Sequence, residues 1–343
     1  MYKTAKQNLP ALFRMIAESQ ELYLPVRSAG QTNFACWSEE AEVDLESLNS
    51  VKSPKNVFFP QSENLYTVKR DGKKMKIEPE ALRNQEFVIF GMRPCDVRGV
   101  EVLDKVFLAD PPDTYYAARR EHGTMVSLAC REPEETCFCS AFGIDCTEPD
   151  ADVAVWMIGE ALYWKSRTDK GDALTGTVGS LLTEAEEQDV EETKEQVRGI
   201  IAKLPYSDLS LEGWNGEALT EKFDSEKWEE LYKPCLACGT CTFVCPTCQC
   251  YDIKDYDTGS GVQRYRCWDS CMYSDFTMMA HGNNRTTQMQ RFRQRFMHKL
   301  VYFPANNGGM YSCVGCGRCV GKCPSSLNIV KVVKAFQSEG GDK

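Results

Sequence analysis

Apolar residues along the first 160 positions fall into two kinds of pattern. Over residues 4–19, Leu9, Leu12, Phe13 and Ile16 recur at helical spacing and mark one face of an amphipathic helix. Short apolar runs follow at 22–26, 57–59, 87–92, 125–129 and 153–158. Their length and their β-branched and aromatic content predict strands. Their lack of strict alternation predicts burial on both faces. The pattern then changes. Residues 166–222 begin polar and glycine-rich and continue as an acidic helix with an apolar stripe near its end, which reads as a solvated connector. A short helix follows over 225–232, with Ser225 as N-cap and Trp228 and Leu231 facing inward. Further on, Phe292, Phe296 and Leu300 share one helical face, and Arg291, Arg295 and Lys299 share another. That basic face reads as solvated, or as compensation for nearby negative charge, ahead of a docking surface for an acidic partner. The whole predicts a fold of the α+β or α/β class. An α/β domain spans 1–165, an acidic connector 166–222, and a smaller, mainly helical domain 223–343.

Composition narrows the function. Of 343 residues, 42% are hydrophobic and 26% charged, and acids exceed bases by 50 to 40 for a net charge of -10. That balance argues against general nucleic-acid binding, which needs positive surface. No apolar run approaches the length of a membrane span, and the N-terminus carries no signal-peptide pattern. The expectation is a cytoplasmic protein. One count is unusual, the 18 cysteines. In a reducing compartment, clustered cysteines read as metal ligands or redox thiols.

Cys235, Cys238, Cys241 and Cys245-Pro246 form one run, and Cys313, Cys316, Cys319 and Cys323-Pro324 form a second. Both have the C-x2-C-x2-C-x3-C-P spacing of bacterial-type two-cluster ferredoxins, in which the fourth cysteine ligates the other cluster. Steps of three place three sulfurs around one cubane on a tight loop. Gly239, Gly315 and Gly317 permit the turns that aim N–H groups at sulfur. The assignment is therefore Cys235, Cys238, Cys241 and Cys323 for the first [4Fe–4S] cluster, and Cys313, Cys316, Cys319 and Cys245 for the second. Zinc more often takes separate CxxC pairs. Residues 246–312 are a long insertion between the runs of this ferredoxin-like domain.

A third constellation lies in the N-terminal part. Cys95 and Cys130 each follow an expected buried strand, and Cys137 and Cys139 lie on the loop after Cys130. If those strands are parallel neighbours, all four meet at one sheet edge, where open α/β sheets hold ligands. Four thiols satisfy a third [4Fe–4S] cluster; the competing reading is a set of core thiols. Cys146 is a spare candidate, and Asp96 a less ready one. Cys248, Cys250, Cys267 and Cys271 follow no ligand spacing and read as core thiols near the clusters. No dinucleotide-binding glycine motif follows a strand, and no catalytic triad is evident. No catalytic residue is assigned.

Taken together, GMRPCD, the SLAC stretch leading to CFC, CPTCQCYD, CWDSCMYSDFT, RQRFMHKLVYF and CVGCGRC with its CP resemble one family, from about Leu22 to Cys323. It is the family of the beta subunits of cytoplasmic sulfhydrogenases and the corresponding iron–sulfur subunits of anaerobic sulfite reductases. Similar subunits accompany heterodisulfide-reductase-like and electron-bifurcating complexes of anaerobes. The resemblance implies an electron-transfer subunit that works between a catalytic oxidoreductase partner and a flavin-containing NAD(P)H subunit. The sequence departs from the family pattern at Asn283-Asn284-Arg285, where Asn-Pro-Arg is expected, and at Asn328, where an aspartate is expected. Neither departure removes a ligand. A self-sufficient reductase with its own substrate site, and a zinc-stabilised interaction protein, are the readings from other functional classes.

Overall fold

The computed structural model describes residues 1–337. In chain order the strands that build its two larger sheets are β1 (Tyr2–Ala5), β2 (Glu21–Ser28), β3 (Gln31–Cys36), β4 (Ser62–Asp71), β5 (Lys74–Pro79), β6 (Phe87–Met92), β7 (Gly123–Leu128), β8 (Val153–Ile158), β9 (Ala161–Ser166), β10 (Thr183–Glu184), β11 (Tyr251–Asp257) and β12 (Gly261–Trp268). The main sheet has eight strands in the order β10-β1-β9-β8-β7-β6-β2-β3. Its centre, β2, β6, β7 and β8, is parallel, and its flanks are antiparallel. Every residue of β6 and β7 is buried, as near-continuous apolar runs lead one to expect of strands covered on both faces; the buried Ser127 of β7 is satisfied by donating to the Met92 carbonyl at 3.0 Å. One face packs on the helices Leu9–Ala17 and Asp169–Val178 through Leu12, Phe13, Ile16, Leu174 and Val178. The other packs on the helix Pro94–Phe107 through Val97, Val100 and Leu103. Each such side chain contributes about 1.5–3 kcal/mol on leaving water.

Several expected elements differ. The helix expected over 4–19 begins only at Leu9, because Tyr2–Ala5 pairs as β1 with β9 and β10. The apolar run 57–59 is not a strand: Lys55–Phe58 forms one helical turn after Pro54. A run of three apolar residues carries no periodicity that separates strand from helix. Residues 166–222 are more than a solvated connector. The helix Asp169–Val178 and strand β10 complete the α/β layer. The acidic helix Gln188–Ile201 buries Val190 and Val197 while Glu192 and Glu195 face solvent. Trp214 and Trp228 sit in the C-terminal core beside Phe292, Phe296 and Leu300. The helix Lys227–Leu231 has Glu226 rather than Ser225 at its N-cap, and the Ser225 hydroxyl, one residue earlier, accepts from the Lys227 backbone N–H.

No pattern in the sequence predicts the second sheet. It has four antiparallel strands in the order β11-β12-β4-β5, so a hairpin from the insertion 246–312 pairs with one from the N-terminal part. Backbone hydrogen bonds therefore cross the division drawn between residues 165 and 223. Most side chains of β5 and β11 are exposed, and strands with little buried face leave little alternation to read. Among the described residues no helix is long and apolar enough to cross a membrane.

Candidate metal centres

The two cysteine runs fold as near copies. In the first, Ala237 and Gly239 have φ of 53° and 75°; in the second, Gly315 and Gly317 stand at the same places with φ of 58° and 76°. These left-handed turns wrap three cysteines of each run around one space and lead into the short helices Thr240–Phe243 and Arg318–Gly321. One cavity is lined by Cys235, Cys238, Cys241 and Cys323. A second is lined by Cys313, Cys316, Cys319 and Cys245, with Cys241 at its border. The fourth cysteine of each run thus stands with the first three of the other. Among the described residues no three His, Cys, Asp or Glu side chains gather closely enough to hold a single metal ion. A cubane is a wider body, and its thiolates stand around it.

The sulfurs receive local hydrogen bonds. The Leu327 N–H donates to Cys323 Sγ at 3.2 Å and the Ala237 N–H to Cys235 Sγ at 3.4 Å. Burial pushes the Cys313 thiol up to about 12 and the Cys316 thiol up to about 11. Bound iron reverses that preference, since a coordinating thiol is deprotonated outright. Cys245 is held well below its ordinary value, first by the neighbouring Cys248 thiol and then by Lys299 and Lys55.

The helix Gln288–Met297 runs on into a π-helical turn, His298–Tyr302. Here solvation fails as the reading of the basic face, whereas compensation for nearby negative charge, the reading beside it, fits Arg295 and Lys299. Arg295 and Lys299 are only 4% and 5% exposed, and Arg295 borders both cavities. Arg291, partly buried, is tied to the backbone carbonyls of Met272, Arg285 and Thr286. Lys299 Nζ donates to Thr247 Oγ1 and to the Ser312 carbonyl at 2.9 Å each, and to Cys245 Sγ at 3.5 Å. Lys55, also buried, donates to the Cys248 carbonyl at 2.7 Å and lies 4.0 Å from the centroid of the Trp268 ring. Among the described residues no carboxylate forms an ion pair with Lys55, Arg295 or Lys299. Helical periodicity found their common face; it could not show that the face turns inward.

The N-terminal cysteines do converge. Strands β6 and β7 are parallel neighbours, Cys95 lies in the first turn of the helix after β6, and Cys130 follows β7. Cys95, Cys139 and Cys146 pack in one buried cluster, with Cys130 against it and Cys316 of the second run included. Cys137 contributes its thiol 4.0 Å from the Cys316 carbonyl. Cys146, the spare candidate, faces both Cys130 and Cys139, and its carbonyl accepts from the Cys130 N–H at 2.8 Å. Asp96 is committed elsewhere. It caps its own helix and receives two hydrogen bonds from Arg318, at 2.6 and 3.0 Å, with both side chains buried. Arg318 lies inside the second run, so this ion pair ties that run to the sheet edge. The backbone does the same where the Phe138 N–H donates to the Gly315 carbonyl at 2.8 Å. Of the looser group, Cys248 adjoins Cys245 and Cys250 adjoins Cys271. Cys267 stands apart on β12, paired in register with Asp252.

This donor set of thiols and buried cations is suited to an anionic iron–sulfur group, and comparison with known proteins agrees. Residues 234–327 match the family described as "4Fe-4S dicluster domain". The chain is therefore a protein that binds [4Fe–4S] clusters. It is also 31% identical, over 333 residues and 96% of each chain, to the protein named Sulfhydrogenase 2 subunit beta of Pyrococcus furiosus. At that identity and coverage the chain belongs to the sulfhydrogenase beta subunit family, and it is an iron–sulfur electron-transfer subunit. No solved structure matches it.

Proposed function

We propose that this chain relays electrons, one at a time, between the flavin-containing, NAD(P)H-binding component and the catalytic oxidoreductase component of a cytoplasmic complex that works under anaerobic conditions. The observation that carries the reading is the exchange of Cys245 and Cys323 between the two cavities. The two cavities adjoin, sharing Cys241 and Arg295, so clusters held there would be near neighbours, as a relay requires. Cys235, Cys238, Cys241 and Cys323 would hold one, and Cys313, Cys316, Cys319 and Cys245 the other. Bound clusters supply reversible one-electron chemistry. The protein supplies thiolates, N–H donors to sulfur and a dry surround. The name of the relative speaks for a hydrogenase as the catalytic partner. A sulfite reductase, a heterodisulfide-reductase-like module or an electron-bifurcating module would present the same electrical task.

The N-terminal group extends the relay to a third [4Fe–4S] cluster. Cys95, Cys130, Cys137 and Cys139 are its ligands in the simplest form, with Cys146 close enough to take one place. Cys316 belongs to both neighbourhoods, so the path would run from the first cluster through the second to the sheet edge. Iron analysis of anaerobically prepared protein tests this. About twelve irons per chain are expected, falling to about eight when Cys137 and Cys139 are both replaced by serine. A value near eight that the double replacement leaves unchanged would remove the third cluster. Turnover-like reduction of the flavin-free chain by NADH or NADPH would instead favour a self-sufficient reductase.

A further inference from the structure

We propose that Arg295 is a positioning residue whose charge raises the reduction potentials of both dicluster centres, while Lys299 acts mainly on one. The inference rests on the two-cluster reading above. It begins with a guanidinium in an unusual place. Arg295 is 4% exposed, its Nε has no hydrogen-bond partner among the described residues, and it borders the cavity of Cys235, Cys238 and Cys323 as well as that of Cys313, Cys316 and Cys319. A buried cation is costly unless something negative lies near it. Among the described residues no carboxylate fills that role for Arg295. The two cavities beside it are where the compensating charge belongs.

Lys299 is one helical turn further on and shares the inward face. Its reach is narrower. It borders only the cavity of Cys313, Cys316, Cys319 and Cys245, and it donates to Cys245 Sγ at 3.5 Å. A cluster that accepts one electron becomes more negative by one charge, with no bond made or broken in the protein. A fixed cation nearby stabilises the reduced form more than the oxidised form, and low local polarity strengthens the effect. Arg295 therefore raises both potentials together, which keeps the two centres matched. Lys299 adds mainly to one.

The test is a redox titration followed by electron paramagnetic resonance on the full-length, iron-loaded chain, with Cys323→Ser identifying the signal of the first centre. Arg295→Gln is expected to shift the reduced-to-oxidised ratio of both centres at least tenfold toward oxidised, which is about 59 mV for a one-electron couple. Arg295→Lys keeps the charge and is expected to restore most of the shift. Lys299→Met should move the centre that uses Cys245 more than the other. Arg293→Gln is the control, since Arg293 stacks on Phe223 and lines neither cavity. Unmoved potentials in an Arg295→Gln protein that keeps its iron would overturn the proposal and leave the two-cluster reading standing. If Arg295→Gln sheds its iron, Lys299→Met decides: a larger shift of the Cys245 centre than of the other supports the proposal, and no shift, or equal shifts of both, overturns it. A wild-type chain that takes up no iron would overturn the two-cluster reading itself.

Discussion

The two C-terminal runs and the N-terminal cysteine group are both rich in thiols, yet they are built in opposite ways. In each run three cysteines lie within seven consecutive residues, and left-handed turns at Ala237 and Gly239, or Gly315 and Gly317, curl the loop around its own centre. Only the fourth cysteine comes from elsewhere. In the N-terminal group Cys95, Cys130, Cys139 and Cys146 arrive from separate segments, delivered by the register of β6 beside β7 and by the loop that follows. A local site survives small changes elsewhere in the fold. A site assembled by a sheet edge is as good as the packing that holds the edge. The second run also acts as a lid on the N-terminal group, through Arg318 to Asp96 and Gly315 to Phe138.

The largest expected effect probes the one non-local ligand of a local site. Cys323→Ser should remove the cluster of Cys235, Cys238 and Cys241, a loss of about four irons per chain, and leave the other centre's spectrum intact. Loss confined to the centre of Cys313, Cys316 and Cys319 would break the exchange of fourth cysteines between the runs.

Next comes the tie between the two regions. Arg318 and Asp96 are 4% and 2% exposed. Arg318→Met leaves the Asp96 carboxylate buried and unpaired, which should cost about 3–5 kcal/mol. Arg318→Met with Asp96→Leu should recover much of that loss in thermal or denaturant unfolding. Equal destabilisation by the single and double variants would show that the pair does not act as an ion pair.

The smallest effect tests how closely the lid fits. A Cβ on Gly315 would lie 2.3 Å from the Phe138 carbonyl oxygen, at a φ of 58°. Gly315→Ala should therefore lower stability by about 1–3 kcal/mol from the steric clash, on top of its backbone strain. Gly308 has a similar φ of 62° with open space around it, so Gly308→Ala should cost about 1–2 kcal/mol, for backbone strain alone. Equal losses in the two variants would mean that the second run does not press on the 136–139 loop.

Much of the chemistry was legible in one dimension, because a cubane that draws three ligands from a single loop imposes fixed steps on the sequence. The doubled cysteine-proline runs, their glycines and the dicluster character followed from spacing. So did the strands β6, β7 and β8, whose nearly continuous apolar runs accompany burial of most of their residues. Positions set by long-range pairing were not legible in this way. The edge strands β5 and β11 expose most of their side chains and leave no hydrophobic signature, so the sheet that stitches the insertion to residues 62–79 was invisible. Cys146 was a spare thiol until the fold set it against Cys130 and Cys139. Arg295 and Lys299 shared a helical face in the sequence, but only packing turned that face toward the cysteines rather than to water. Local steric demands are written into neighbouring residues; which of two faces is buried depends on what the rest of the chain brings against it.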